Sequence, residues 1–475
     1  GRLGTERFLE LAIQMAGVLG RIHRQGLIHK DVNPANFVAN AETGRLQLID
    51  FDLATRLDEE RVRPGALGAL EGTLPYIAPE QTGRMNRNLD WRADFYSLGA
   101  TFHELLTGQP PFAVSDALEL IHHHLAVAPP SVCSLRPDLP PPIADIILRL
   151  LAKSAEDRYL GAYGLIQDLE RCRRELATGG EIRPFTLGQR DVSDRFHIPQ
   201  KLYGRERDVR RLLEAFERAS GGRAELMLVS GEPGIGKSVL VNEVQGPMVG
   251  RRGHVVTGKF DQLQRNLPYS ALAQAFGDLM RQILGERQAD IDAWRERLQA
   301  ALGPNGQLIV DVIPDLALVI GDQPAVPVLG GREARNRFNH VFQSFALALA
   351  RPEHPLVLFI DDLQWADLAS LEVLDTVLGD SRMAHLLVIG AYRDNEVHSG
   401  HPLNRSLERI REAGTIIDEI KLQALDDYSL TDLIADATLT PASLARGLAA
   451  LVQEKTGGNP FFVRQFLRNL IDEGQ

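Results

Sequence analysis

The chain has 475 residues, 44% hydrophobic and 24% charged, a soluble-globular profile too long for a single hydrophobic core. Its 52 Lys and Arg against 63 Asp and Glu give a formal net charge of −11, which argues against broad phosphate-backbone binding, so no nucleic-acid partner is expected. Two well-separated cysteines without metal-like spacing, Cys133 and Cys172, together with apolar runs no longer than a strand, predict a reducing, cytoplasmic setting and no membrane segment.

In chain order, residues 6–25 come first as a helix, with Phe8, Leu11, Ala12, Met15, Val18, Leu19 and Ile22 on one stripe. His29-Lys30-Asp31-Val-Asn-Pro-Ala-Asn36 follows it. Residues 47–53 read as a short apolar strand ending in the acids of Asp50-Phe51-Asp52. Next come Gly72-Thr-Leu-Pro-Tyr-Ile-Ala78-Pro79-Glu80, Asp94-Phe-Tyr-Ser-Leu-Gly99 and Asp157-Arg158-Tyr159, within helical patterns that dominate from about 92 to 178. The His122–His124 run lies in one of these helices. Adjacent helical residues point in different directions, so one metal site there is not expected. Thr178 to Gln200 has little periodicity and reads as a linker.

This ordered set resembles the C-terminal lobe of a eukaryotic-type Ser/Thr protein kinase, across residues 1 to about 175. The resemblance implies that Asp31 accepts the substrate hydroxyl proton, and that Asn36 and Asp50 ligate Mg²⁺. It further implies that Asp94 braces the catalytic loop and that Glu80 and Arg158 form a buried ion pair anchoring the activation segment. The plainer reading of Asp31 is an acid in a polar turn. Three departures stand out: Lys30 where the family usually has Arg, Asn33 where it has Lys, and Asp52 where it has Gly. Asn33 removes a cation from the γ-phosphate, and Asp52 removes backbone freedom beside a metal ligand. The family's glycine-rich loop, strand lysine and partner glutamate are expected upstream of Gly1, in a larger protein. These residues alone are therefore expected not to phosphorylate protein substrates.

After the linker, helix Arg207–Ala219 puts Val209, Leu212, Leu213 and Phe216 on one face, and strand Leu226–Ser230 follows. Further strands are predicted at His254–Thr257, Leu356–Ile360 and Leu386–Ala391, alternating with helices, which implies a parallel sheet covered on both faces. From about 425 the pattern is helical again. Between a strand and a helix stands Gly231-Glu-Pro-Gly234-Ile-Gly236-Lys237-Ser238, a complete G-x-x-x-x-G-K-[ST] phosphate loop. Its glycines let backbone N–H groups curl around phosphates. Lys237 would reach the β- and γ-phosphates of ATP, or the β-phosphate of ADP, and Ser238 would ligate Mg²⁺. Strand Leu356–Ile360 delivers Asp361 and Asp362. Asp361 would hold the metal, through water or directly, while Asp362 either orients or deprotonates the attacking water, or only caps the next helix.

Here the chain resembles the STAND class of signal-transduction ATPases, relatives of the AAA+ proteins, over about 203–475. Tyr203-Gly-Arg-Glu206, Phe359-Ile-Asp-Asp-Leu-Gln-Trp-Ala-Asp367, Gly390-Ala-Tyr-Arg393-Asp394 and Gly457-Gly-Asn-Pro460-Phe-Phe462 carry that resemblance. It implies that 203–206 packs near the adenine, that Arg393 senses the γ-phosphate and that Pro460 contacts the nucleotide. The alternatives are a surface ion-pair role for Arg393 and a helix start at Pro460.

The expected architecture is a multidomain chain. A mainly α kinase C-lobe (an incomplete kinase fold) spans 1–178, and a linker spans 179–202. An α/β P-loop NTPase of the STAND/AAA type with a parallel sheet spans 203–400, and a helical lid or accessory region spans 401–475. The expected function is ATP-dependent signalling in a bacterial protein combining Ser/Thr kinase and ATPase switch. Its partners would be protein substrates or signalling proteins, with self-oligomerisation through the ATPase. Two other readings stay open: a pseudokinase scaffold governed by the switch, and a STAND regulator without phosphotransfer.

Overall fold

The computed structural model describes residues 2–472 apart from 41, 58–71, 83–88, 115, 192–198, 200, 245–246, 249–250, 252, 263–266, 287 and 439. The chain divides into two compact units, Gly1–Lys201 and Leu202–Gln475.

The first unit is mostly helical. Its opening helix, α1 (Thr5–Arg24), buries Phe8, Leu9, Ala12, Met15, Ala16, Val18 and Leu19. These recur at helical spacing and form the stripe that packs inward. Two small antiparallel ribbons follow: β1 (Leu27–Ile28) pairs with β4 (Thr55–Arg56), and β2 (Phe37–Ala39) with β3 (Leu46–Leu48). The strand expected over 47–53 thus ends at Leu48, because Asp50 adopts a left-handed backbone, φ 65°, that no strand accommodates. Helix α2 (Arg92–Thr107) is buried on nearly every face, with helices Pro141–Leu150 and Ala162–Gly179 packed around the same core. The stretch expected as a linker is not free over 182–191. Ile182 is buried in this core. Asp191 accepts from the backbone N–H of Leu160 at 2.9 Å and Gly161 at 3.3 Å and pairs with Arg149 at 3.1 Å.

The second unit is built on a parallel sheet. Its strands are β5 (Ala224–Ser230), β6 (His254–Lys259), β7 (Leu356–Asp361), β8 (Leu386–Tyr392) and β9 (Ile416–Lys421), in the order β6-β7-β8-β5-β9. Alternation sorts the central strands between two cores. Leu226, Leu228, Leu356, Leu358, Ile360, Leu386 and Val388 join the larger one, beneath helices Ser270–Leu284, Gly331–Leu349 and Leu368–Leu378. Met227, Val229, Val357, Phe359, Leu387, Ile389 and Ala391 face the other way, against helix Glu206–Ser220. The helical pattern read from about 425 begins at Asp427. Strand β9 lies inside the 401–475 span expected as a helical region. It is an edge strand whose Asp418, Glu419 and Lys421 hide its apolar residues from a hydropathy reading. Helix Pro402–Glu412 precedes it, and among the described residues helices Asp427–Thr438, Ala442–Thr456 and Pro460–Asp472 follow. Parallel pairing puts the C-terminal ends of all five strands along one edge, where α/β folds bind ligands.

Candidate functional site

In the first unit, the turn after β1 is held from below. Asp94, in the first turn of α2 and fully buried, accepts from the backbone N–H groups of His29 and Lys30 at 2.9 Å each. His23 Nε2 lies 2.7 Å from the same carboxylate. A buried carboxylate needs such compensation, and these contacts supply it. They also hold Lys30 in a left-handed conformation, φ 68°, which a residue with a Cβ keeps only when its surroundings fix it.

That turn presents Asp31. Its Oδ1 accepts from the Thr73 N–H at 2.9 Å and the Thr73 hydroxyl at 2.7 Å. Its Oδ2 accepts from Asn36 Nδ2 at 3.0 Å, and the same amide group donates to the Asp31 carbonyl at 2.8 Å. The Asn36 NH₂ is thus committed to Asp31, and its oxygen is the atom suited to a metal. Asn33 is a structural cap: its Oδ1 accepts from the N–H groups of Ala35 at 3.0 Å and Asn36 at 3.2 Å. Asp50 and Asp52 are exposed, and no hydrogen bond among the described residues joins Asp50 to Asp31 or Asn36. Glu80 and Arg158 meet in a bidentate pair at 2.6 and 2.9 Å, both side chains buried. Arg158 also donates to the carbonyls of Arg92 and Ala152 at 2.8 Å each and of Lys153 at 3.2 Å. His124 of the histidine run lies 2.9 Å from the Tyr96 hydroxyl in the core. No cluster of three or more His, Cys, Asp or Glu side chains capable of holding a metal occurs among the described residues.

In the second unit, the phosphate loop follows β5, and Lys237 opens the next helix. Gly231, Gly234 and Gly236 all have positive φ, at 146°, 75° and 100°. A Cβ on Gly231 would lie 2.8 Å from the Leu422 carbonyl, and one on Gly234 would lie 2.7 Å from Phe461 Cβ. Glycine is therefore required by space as well as by dihedral. The Lys237 ammonium folds back on the loop, donating to the carbonyls of Gly231 at 2.8 Å and Glu232 at 2.9 Å. Burial lowers its pKa, opposed by the nearby Asp361 carboxylate. Ser238 Oγ donates to Asp361 Oδ2 at 3.3 Å across 123 positions of sequence. Burial raises the Asp361 pKa, and the charge of Asp362 adds to the rise.

These groups suit Mg²⁺ and a nucleotide. A hydroxyl and a half-buried carboxylate stand at a separation one cation can bridge, beside a loop with a lysine within reach of phosphate. Asp362 has φ 56° and is nearly fully buried. It holds the N-cap position of the next helical turn, Leu363–Trp365, without a side-chain cap bond, while Asp367 caps helix Leu368–Leu378. Its Oδ1 accepts from Gln364 Nε2 at 2.7 Å and lies 3.5 Å from Arg393 Nε, while its Oδ2 lies 3.3 Å from Lys259 Nζ. Arg393 also donates to Glu396 at 2.9 Å and stacks over Trp365 at 4.7 Å. Pro460 starts the last helix, and its neighbour Asn459 donates to the Pro233 carbonyl in the phosphate loop at 3.0 Å. The 203–206 segment packs on the residues beyond β9: Tyr203 donates to Asp436 at 2.9 Å, and Arg205 donates to the Gln423 carbonyl.

Sequence reading missed Thr73, Lys259, Gln364, Glu396 and Asn459. Gln364, Thr73 and Asn459 stand inside motifs already singled out, whereas nothing local marks Lys259 or Glu396 as a partner of Asp362 or Arg393.

The protein kinase domain family matches residues 2–167, and the AAA ATPase domain family matches residues 201–389. Hybrid signal transduction histidine kinase G of Dictyostelium discoideum is 29% identical over 98% of this chain and 18% of its own length. Peroxide stress-activated histidine kinase mak3 of Schizosaccharomyces pombe is 23% identical over 99% of this chain and 23% of its own. Serine/threonine-protein kinase PknF of Mycobacterium tuberculosis is 38% identical over 32% of this chain and 31% of its own. The chain thus spans less than a quarter of the length of the two histidine kinases it matches. It joins a protein kinase domain, at residues 2–167, to an AAA ATPase domain, at residues 201–389.

Proposed function

We propose that this chain is the kinase and switch portion of a bacterial ATP-dependent signalling kinase. The first unit serves phosphoryl transfer to Ser or Thr, and the second is a STAND-type ATPase that gates it. The observation that carries the reading is the meeting of Lys237, Ser238 and Asp361 at the C-terminal edge of the sheet, with Ser238 3.3 Å from Asp361. In the second unit the loop N–H groups and Lys237 hold the phosphates, and Asp362 orients the water. Arg393 exchanges its Glu396 contact for a γ-phosphate, so ADP and ATP favour different arrangements. Mg²⁺, when bound through Ser238 and Asp361, neutralises charge on the phosphoryl oxygens. In the first unit Asp31 accepts the proton of a substrate hydroxyl, with Asn36 and Asp50 on the metal side. The partners are protein substrates and signalling proteins, with self-association through the ATPase, in the cytoplasm.

The test is the nucleotide retained by the natively purified protein, beside Lys237→Ala. ADP released from the wild type and lost in the variant supports the switch. A wild type that is empty and takes up no added Mg-ATP sinks it.

A second reading, a pseudokinase module beneath the same ATPase, is favoured by one observation: Asn33 is spent capping the turn at 34–36, where the kinase resemblance calls for a cation on the γ-phosphate. Transfer of labelled phosphate from ATP to a generic Ser/Thr substrate, abolished by Asp31→Asn, supports the enzyme. The assay is made on the larger protein that supplies the expected glycine-rich loop and strand lysine, and no Asp31-dependent incorporation by it supports the module.

A further inference from the structure

The amide of Gln364 stands between the two polar groups that the ATPase reading needs most. It lies in the short helical turn Leu363–Trp365, immediately after β7, and is 3% exposed. Its Oε1 accepts from the Arg393 backbone N–H at 3.1 Å, and its Nε2 donates to Asp362 Oδ1 at 2.7 Å. These neighbours set the orientation of the amide: only an oxygen can face an N–H, and only an NH₂ can face a carboxylate. The backbone of Gln364 is tied as well, since His401 Nε2 lies 3.1 Å from its carbonyl. A buried amide with both ends used holds its rotamer, and so holds whatever it bonds.

We propose that Gln364 is a positioning residue for ATP hydrolysis, fixing the Asp362 carboxylate against the end of β8. The proposal rests on the reading of Asp362 as the group that orients the attacking water. The other groups facing that carboxylate are longer or looser contacts: Arg393 Nε at 3.5 Å, and Lys259 at 3.3 Å on a side chain more than half exposed. Gln364 makes the short, buried bond, and among the described residues it is the one group that joins Asp362 to the main chain of the Arg393 segment. A shift of that segment on meeting a γ-phosphate is therefore passed to the carboxylate through one amide.

The experiment measures steady-state ATP hydrolysis and nucleotide affinity for Gln364→Met, Asp362→Asn and the double variant, in the whole chain. Gln364→Met keeps the side-chain volume and removes both hydrogen bonds. It is expected to lower kcat by roughly 10- to 100-fold, the usual effect of losing a group that orients a reacting one, with KM and nucleotide affinity within about threefold. In the Asp362→Asn background the same change is expected to lower kcat no further, because its effect passes through Asp362. A merely structural role would lower the melting temperature and act equally in both backgrounds. Should Gln364→Met fail to fold, Gln364→Glu keeps the acceptor for Arg393 and removes the donor to Asp362, and it carries the same expectation. Wild-type kcat in a folded Gln364 variant, or an equal loss in both backgrounds, overturns the proposal. Wild-type hydrolysis that is absent or insensitive to Lys237→Ala overturns instead the reading on which it rests.

Discussion

Arg158 illustrates how much one buried charge demands. Its guanidinium donates to both Glu80 oxygens and to three backbone carbonyls, with the side chains of both partners buried. The geometry meets the condition under which a buried ion pair is tolerated, namely that every remaining donor finds a partner. Removing one member leaves the other charged and buried. Arg158→Leu is expected to destabilise the first unit by about 3–5 kcal/mol. Urea unfolding followed at Trp91, with Trp294 and Trp365 replaced by Phe, measures it; a loss under about 1 kcal/mol would contradict the argument. The pair was readable in the sequence because Glu80 and Arg158 belong to recognisable motifs. The hold on Asp362 was not, since Lys259 lies about a hundred positions upstream and nothing near either residue predicts the meeting.

At the scale of elements, helix Ala117–Ala126 carries a pH dependence. Its last turn offers the carbonyls of His123 and His124 to the Lys153 ammonium, at 2.8 Å each, beside the rings of Tyr96 and Phe112. Burial, with Lys153 adding repulsion, lowers the His124 pKa from 6.5 to about 3. The folded state therefore keeps the imidazole neutral where the unfolded chain would protonate it, so this contribution to stability is present above pH 6.5 and lost as pH falls towards 3. Burial, with Arg158 adding repulsion, lowers the Lys153 pKa from 10.5 to about 7. Between those values the unfolded chain binds more protons, so the first unit gains stability as pH rises from 7 to 10.5. His124→Gln should flatten the acid slope of unfolding free energy against pH, and Lys153→Met the alkaline one. An unchanged slope in either variant would refute its part. Elements with a clean period were legible from sequence, as in α1 and the three strands β5, β7 and β8. Strand β9 was hidden by acids at its exposed edge. Residues 182–191 carry no periodicity because individual contacts, such as Asp191 with the backbone at 160–161, hold them.

For the molecule as a whole, the division into two units follows from where apolar side chains gather. One core fills the first unit, and two lie on the faces of the sheet in the second. The order of motifs along the chain made that division legible, and so did the helical pattern from about 425, whereas the strand just before it was concealed. Residues 203–205 are fastened to the residues beyond β9. Arg205 holds the Gln423 carbonyl and Tyr203 holds Asp436. The Leu425 N–H in turn donates to the Gly458 carbonyl at 2.9 Å, next to Asn459, which grips the phosphate loop at Pro233. The stretch at 423–425 thus stands, by hydrogen bonds on either side, between the segment by which the chain enters this unit and the glycine loop after β5.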